Sequence, residues 1–197
     1  ATPPAPGRTL PPPPPRDAPP PRDLGPTPGP NQPGRAQAPC PAMAAADSIT
    51  GLGLGSFAGP ASVMAHLGST MGYPITLENR GGVHLASSTN TLGPGDVLVV
   101  INMWRSIRQI IVTAEAAKQA GATVIAISDM RRGRLAAAAD HLLVVASEGI
   151  SFFQSVTGAN SLVYGLLAGM EAAHPERSRT AIRRTQQLWK DLDIYLD

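Results

Sequence analysis

The sequence predicts an α/β domain whose five parallel strands form a three-layer, doubly wound sheet of order 2-1-3-4-5. Short apolar runs alternate with helix-length segments along 48–197, which is typical of parallel α/β proteins. Three of the runs are continuously aliphatic, and such runs indicate strands buried on both faces: 97–101, 123–127 and 142–146. Right-handed crossovers between such strands give the doubly wound arrangement.

The first half of the domain alternates strand and helix twice. Residues 48–54 form an apolar run that ends in glycines, which predicts a strand. The segment 57–71 has apolar side chains at helical spacing, and Gly72 ends that helix. A second strand follows at 75–78, and a helix runs from Gly81-Gly82 to about residue 91.

The second half continues the alternation. The turn at Gly93-Pro94-Gly95 leads into the strand 97–101. The remaining predicted elements are a helix at 106–120, a strand at 123–127, a short helix at 135–139, a strand at 142–146 and helices at 151–173 and 176–196. The 151–173 segment is apolar on most faces, so it is expected to be buried, either in the domain or in a dimer interface. We expect a homodimer or higher oligomer formed through this helix and its neighbours.

Proline divides the chain, because 17 of its 21 prolines lie in residues 1–46. Each proline removes a backbone donor and fixes φ, so we expect residues 1–46 to be a disordered or partly polyproline II tail. The folded domain is predicted to span 47–197. That part carries equal numbers of acidic and basic residues, so the basic surface typical of nucleic-acid binding is missing from it.

Cysteine usage and hydropathy favour a cytoplasmic protein. The one cysteine, Cys40, lies in the predicted tail, which excludes a disulfide within the chain. No secretory signal is recognisable, since Arg and Pro run through the N-terminus where an apolar segment would lie. The apolar runs are too short for a membrane span, so no membrane partner is expected.

The predicted strand order places a ligand site between strands 1 and 3. The order reverses there, and ligands bind outside the carboxyl ends of the strands at such a point. The loop after strand 1 contains Gly53, Gly55 and Ser56 and opens a helix. Glycines let the backbone approach a ligand, and a helix N-terminus offers N–H groups to an anion.

Two further loops complete the predicted site. The loop after strand 3 contains Asn102, Arg105 and Ser106, and a guanidinium there can bind a phosphate through two hydrogen bonds. After strand 4, Ser128 and Asp129 either accept sugar hydroxyls or cap the next helix. No metal-ligand spacing or nucleophile motif is found, so we expect no metal, no cofactor and no catalytic residue.

Three segments together resemble the SIS (sugar isomerase) domain, and in particular the effector domain of the RpiR/MurR family of bacterial transcriptional regulators. They are GLGLGS at 51–56, VLVVINMWRSIRQII at 97–111 and AKQAGATVIAISD at 117–129. The middle segment is similar to a family variant with Phe-Trp-Arg-Tyr after strand 3, matched here by Trp104 and Arg105. The commoner Ser-x-Ser-Gly-x-Thr loop is absent, which shifts the weight of anion binding to Arg105.

The resemblance implies that the domain binds a sugar phosphate or amino-sugar phosphate as the ligand-sensing part of an RpiR-type regulator, without catalysing a reaction. Family members carry an N-terminal helix-turn-helix domain, and the Pro-rich segment occupies that place here. DNA is therefore expected as a partner only if the full protein contains such a domain.

Two alternatives remain at this stage. An aldose–ketose isomerase would need a general base, for which His84 and Glu148 are the candidates. A dinucleotide-binding domain would use the Gly53-x-Gly55-x-x-Ala58 pattern together with Glu78 near the end of strand 2.

Overall fold

A five-stranded, wholly parallel sheet forms the centre of the computed structural model, which describes residues 37–149 and 152–195. The strand order β2-β1-β3-β4-β5 confirms the predicted doubly wound arrangement. The strands, which agree with the predicted ones to within two residues, are β1 (Ser48–Gly53), β2 (Ile75–Glu78), β3 (Asp96–Ile101), β4 (Thr123–Ser128) and β5 (His141–Val144).

Helices cover both faces of the sheet and give the predicted three layers. They are α1 (Cys40–Ala45), α2 (Ala58–Thr70), α3 (Gly82–Asn90), α4 (Arg108–Gln119), α5 (Arg134–Ala138), α6 (Thr157–Ala173) and α7 (Pro175–Asp191). Helices α1, α2 and α6 contribute to the core on one face, and α3, α4 and α5 to the core on the other. A 3₁₀ turn, Gly55–Phe57, precedes α2.

Strand β3 shows why the sheet is buried on both faces. Side chains alternate across a strand, so Val97, Val99 and Ile101 enter one core while Leu98 and Val100 enter the other. Each of these five residues is buried, and the strand has no polar face. The continuous aliphatic run at 97–101 is therefore a strand buried on both faces, as the sequence pattern predicted.

Helix α1 shows that the predicted domain boundary at residue 47 is wrong. Cys40, Met43 and Ala44 are buried in the same core as α2 and α6, so residues 40–45 belong to the domain and not to a tail. The thiol of Cys40 donates a weak hydrogen bond to the Leu166 carbonyl oxygen of α6 at 3.7 Å. Burial raises the pKa of the Cys40 thiol above its ordinary value. Residues 1–36 of the predicted tail lie outside the described residues.

Two helices begin later than predicted. Helix α4 begins at Arg108 rather than at residue 106, which leaves Arg105 and Ser106 in the preceding loop. Helix α6 begins at Thr157 rather than at residue 151, so residues 152–156 lie outside the helix although the sequence pattern predicted them to be part of it. Phe152 and Phe153 lie in a loop, 66% and 76% exposed, with their ring centroids 5.5 Å apart.

Helix α7 is held against the body of the domain at the turn before β2. The Tyr73 hydroxyl donates to the Met170 carbonyl oxygen at 2.8 Å, and the Arg177 guanidinium lies 4.4 Å from the Tyr73 ring centroid. Arg177 also donates to the Gly72 carbonyl oxygen at 2.9 Å.

Among the helices of residues 37–149 and 152–195, none has the length and apolar character needed to cross a membrane.

Replacing Met43 with alanine should destabilise the domain, because Met43 is fully buried in the core that α1 shares with α6. Removing a buried methionine side chain leaves a cavity, so the free energy of unfolding should fall by about 2–5 kcal/mol. Denaturant titration measures this loss. Met130→Ala is the matched control, because Met130 is 43% exposed and its removal should cost little. Equal, small losses in both variants would contradict the placement of α1 in the core.

Candidate functional site: a crevice at the carboxyl ends of β1 and β3

The strand order reverses between β1 and β3, and the space between the two loops that follow these strands is called the crevice below. Gly53, the last residue of β1, pairs with Ile101, the last residue of β3, so the two loops leave the sheet at the same level. The next helices, α2 and α4, pack on opposite faces of the sheet. The loops beginning at Leu54 and Asn102 therefore face each other at the switch point, as the sequence predicted.

The loop after β1 is a tight turn with open space above it. A Cβ atom on Gly53 would lie 2.2 Å from the Phe57 carbonyl oxygen, so only glycine lets the chain fold back here. Gly55 has a φ of +61°, and its missing side chain faces no neighbouring atom within 4 Å. Ser56 is exposed in the middle of the 3₁₀ turn that leads into α2. The turn thus presents an accessible backbone and one hydroxyl.

Asn102 supports the loop after β3 from the inside. Its side chain is buried, its Nδ2 donates to the Arg105 carbonyl oxygen at 3.1 Å, and its Oδ1 accepts the Ile107 N–H at 3.3 Å. These bonds fix the ends of the 102–107 segment relative to each other. Asn102 therefore has a structural role in this loop, and its predicted contact with a ligand stays a prediction.

Trp104 and Arg105 form the exposed part of that loop. Trp104 has a φ of +65°, a left-handed backbone conformation that is unusual for a bulky residue. Its N–H donates to Asp129 Oδ2 at 2.8 Å. The exposed Arg105 guanidinium lies 4.8 Å from the Trp104 ring centroid, a cation–π distance. Ser106 is also exposed, with its Oγ 3.7 Å from Met130 Sδ.

The loop after β4 contains the two remaining predicted site residues. Ser128 is buried and its hydroxyl accepts the Met130 N–H at 3.2 Å, so it shapes the turn; α5 begins only at Arg134. Asp129 Oδ2 accepts hydrogen bonds, whereas its Oδ1 is shielded from solvent and has no hydrogen-bond partner in the described structure. Neither side chain caps a helix.

Ser147 belongs to this cluster but was not predicted. Its hydroxyl donates to Asp129 Oδ2, and it lies 3.3 Å from Gln154 Oε1. The Ser155 N–H donates to the Ser147 carbonyl oxygen at 2.8 Å, which closes the base of the loop after β5. The only sequence signal for Ser147 was its position just after a predicted strand, at the same edge of the sheet.

Exposed arginines lie at this edge of the sheet. Arg105 lies in the loop after β3, Arg108 begins α4, and Arg131 and Arg132 follow β4. Arg108 is the first residue of α4, where a cation is disfavoured by the helix dipole. The cationic groups near this edge favour an anionic ligand.

Both carboxylate oxygens of Glu78, at the end of β2, accept hydrogen bonds from within the protein. Its Oε1 accepts the Arg80 N–H at 2.9 Å, and its Oε2 accepts the Ser88 hydroxyl at 2.5 Å. Burial acts to raise the pKa of Glu78, but the hydrogen bonds from Ser88 and Arg80 and the charges of Arg80 and His84 outweigh it. The pKa is therefore lower than its ordinary value of 4.5. In the dinucleotide alternative this carboxylate would instead bind a ribose.

The two candidate bases of the isomerase alternative are exposed. His84 lies on α3, and Glu148 lies in the loop after β5. Within the described residues, no carboxylate is hydrogen-bonded to the His84 ring. That same part of the chain contains no group of three or more His, Cys, Asp or Glu residues arranged to hold a metal ion.

The strand order and the flanking helices define a doubly wound α/β protein. The SIS domain family model matches residues 43–170, so the chain belongs to the SIS domain family. That match begins within α1, in agreement with the structural boundary of the domain.

Solved structures share this fold. The sugar isomerase domain of an RpiR transcription factor from Sphaerobacter thermophilus is 28% identical with a TM-score of 0.75, over 79% of this chain and 87% of that one. The Vibrio vulnificus NanR protein complexed with ManNAc-6P is 19% identical with a TM-score of 0.70, over 80% of this chain and 61% of that one. A Methanococcus jannaschii protein with an inferred 3-hexulose-6-phosphate isomerase function is 14% identical with a TM-score of 0.58, over 77% of this chain and 83% of that one.

Replacing Glu78 with glutamine should make stability less dependent on acid pH. Because the folded-state pKa is lowered, the carboxylate stabilises the fold above its unfolded pKa, and this contribution is lost as the pH falls through the folded pKa. At pH 7, Glu78→Gln should lose about 1–3 kcal/mol. The difference from wild type should shrink as the pH falls below about 4.5.

Denaturant titrations at a series of pH values measure this difference. Glu171→Gln serves as the control, because Glu171 is exposed on α6. A gap between wild type and Glu78→Gln that stays constant from pH 7 to pH 3.5 would contradict the role assigned to the Glu78 carboxylate.

Proposed function

We propose that this domain binds a sugar phosphate in the crevice between β1 and β3 and serves as the ligand-sensing module of an RpiR-type transcriptional regulator. The observation that carries the proposal is the exposed Arg105 guanidinium at the carboxyl end of β3. It stands on a loop that is supported from the inside by Asn102, across the switch point from the open turn at Gly55 and Ser56.

The chemistry of the crevice suits a phosphate joined to a polyol. Arg105 provides a planar group of donors that matches phosphate oxygens, and each such charge-assisted bond contributes about 1.5–3 kcal/mol. The backbone around Gly55 can approach the anion closely because no side chain is present there. The exposed hydroxyls of Ser56 and Ser106 are available to the sugar.

Relatives support the ligand class. The RpiR domain from Sphaerobacter thermophilus is similar in both sequence and fold, and NanR, which shares the fold, contains an amino-sugar phosphate in its structure. We therefore expect a sugar phosphate or amino-sugar phosphate. DNA would be contacted by a separate helix-turn-helix domain, because residues 47–197 carry equal numbers of acidic and basic residues and so lack the net positive charge typical of DNA-binding domains.

Sensing is favoured over catalysis by the environment of the candidate bases. A general base needs a tuned pKa and an orienting partner, which burial and hydrogen bonds usually supply. His84 and Glu148 are both exposed, and the buried carboxylate nearby, Glu78, already accepts two hydrogen bonds. These features suit a domain that holds its ligand without converting it.

Thermal unfolding with a panel of sugar phosphates, amino-sugar phosphates and NAD(H) tests the proposal. A ligand that binds only the folded state raises Tm. We expect one of the phosphorylated sugars to raise the Tm of the wild-type chain, Arg105→Ala to lose this shift, and Arg105→Lys to keep part of it.

Arg184→Ala on α7 is the charge-matched control and should behave as wild type, since Arg184 is exposed on a helix outside the crevice. A shift with NAD(H) alone would instead favour the dinucleotide alternative. A sugar-phosphate shift that survives Arg105→Ala would contradict the proposed site.

A second experiment separates sensing from isomerisation. The chain is incubated with the stabilising sugar phosphate, and NMR follows aldose–ketose interconversion over many hours. We expect no turnover above background, and no difference between wild type, His84→Ala and Glu148→Ala. Conversion that is lost in either variant would overturn the sensing proposal and identify a catalytic base.

A further inference from the structure

One oxygen atom joins three loops at the crevice. Asp129 Oδ2 accepts the Trp104 N–H from the loop after β3, at 2.8 Å, and the Ser147 hydroxyl from the loop after β5. Asp129 itself follows β4. The Asp129 side chain is therefore a polar link shared by the three loops.

Trp104 needs such a link. Its φ of +65° lies in the left-handed region, which a bulky residue avoids unless its surroundings enforce it. Asp193 is the other non-glycine residue with positive φ among the described residues, and it lies just after the end of α7, where such a conformation is common. Trp104 lies within a loop, where the Arg105 N–H donates to the Met103 carbonyl oxygen around it at 2.9 Å. The bond from the Trp104 N–H to Asp129 restrains the preceding peptide plane from outside this loop.

The conformation of Trp104 determines where Arg105 lies. The Arg105 guanidinium is 4.8 Å from the Trp104 ring centroid, and the Arg105 N–H donates to the Met103 carbonyl oxygen at 2.9 Å. A change of Trp104 to an ordinary negative φ would redirect the chain that follows it. The guanidinium would then lose both its stacking partner and its direction.

We propose that Asp129 is a positioning residue, which holds Trp104 in the left-handed conformation and so aims Arg105 at the anionic end of the ligand. The last step rests on the proposed function. Asp129 does not contact the ligand, because Oδ2 already accepts two hydrogen bonds and Oδ1 is shielded from solvent. This role differs from the sugar-hydroxyl contact that the sequence suggested.

The test uses Trp104 as its own reporter. The sequence has two tryptophans, so a Trp189→Phe background leaves Trp104 as the sole indole. Asp129→Ala and Asp129→Asn are made in this background. Asp140→Ala is the matched control, since Asp140 Oδ2 also accepts a backbone N–H, that of Val124 at 2.9 Å, but at the opposite end of β4.

Two readouts are compared: the fluorescence anisotropy of Trp104 without ligand, and the affinity for inorganic phosphate by calorimetry. Asp129→Ala should lower the anisotropy and weaken phosphate binding by at least about tenfold. Asp129→Asn should restore the anisotropy and bring the phosphate affinity to within about threefold of that of the parent chain, because its amide oxygen can accept the same N–H. Asp140→Ala should lower stability and change neither readout.

The outcomes separate the two claims. Unchanged anisotropy in Asp129→Ala overturns the positioning role, whatever the ligand data show. Restored anisotropy without restored affinity in Asp129→Asn also overturns the positioning role, because Asp129 would then affect phosphate binding by a route other than its bond to Trp104. If the unmodified chain binds no phosphate, the proposed binding of the phosphate group by Arg105 is contradicted. The anisotropy of Trp104 still decides whether Asp129 holds Trp104 in its conformation.

A double-mutant cycle covers the case in which Asp129→Ala does not fold well. Glycine at position 104 adopts a positive φ without help. In a Trp104→Gly background, Asp129→Ala should therefore change phosphate affinity by less than about twofold. A loss as large as in the Trp104 chain would show that Asp129 acts by another route and would overturn the proposal.

Discussion

The in-register pairing of β1 with β3, from Ser48 with Asp96 to Gly53 with Ile101, is the constraint on which the rest of the structure depends. Further strands are added on both sides of this pair, and their helices cover opposite faces. The crevice therefore follows from the connectivity, because two chain segments leave adjacent strand ends in different directions. Two loops far apart in sequence meet only because this pairing brings their starting residues together.

The polar groups at this edge divide into those that the protein uses and those that it leaves exposed. Asn102 and Ser128 are buried and satisfy backbone groups of their own loops. Such internal bonds restrict the loops, so that little conformational entropy remains to be lost when a ligand binds. Arg105 and Ser56 are left facing solvent, and the loop that carries Arg105 is restrained by the Asn102 bonds.

The sequence predicted the strands well because β3 and β4 are buried on both faces, and burial requires continuous aliphatic runs. It missed α1 because proline density suggested disorder, whereas Pro41 lies in the first turn, where a missing N–H costs nothing. The positive φ of Trp104 and the bond from Ser147 to Asp129 could not be predicted. Both depend on contacts between distant segments, which local periodicity does not encode.

The buried position of Cys40 has a consequence for how the N-terminal edge of the domain can be observed. The thiol is packed against α6, it is the only cysteine of the chain, and burial raises its pKa, so its reactive thiolate form is scarce while α1 is docked. An alkylating reagent reaches it only when α1 detaches. The rate of alkylation therefore reports the local opening of α1 separately from global unfolding, as amide hydrogen exchange does elsewhere.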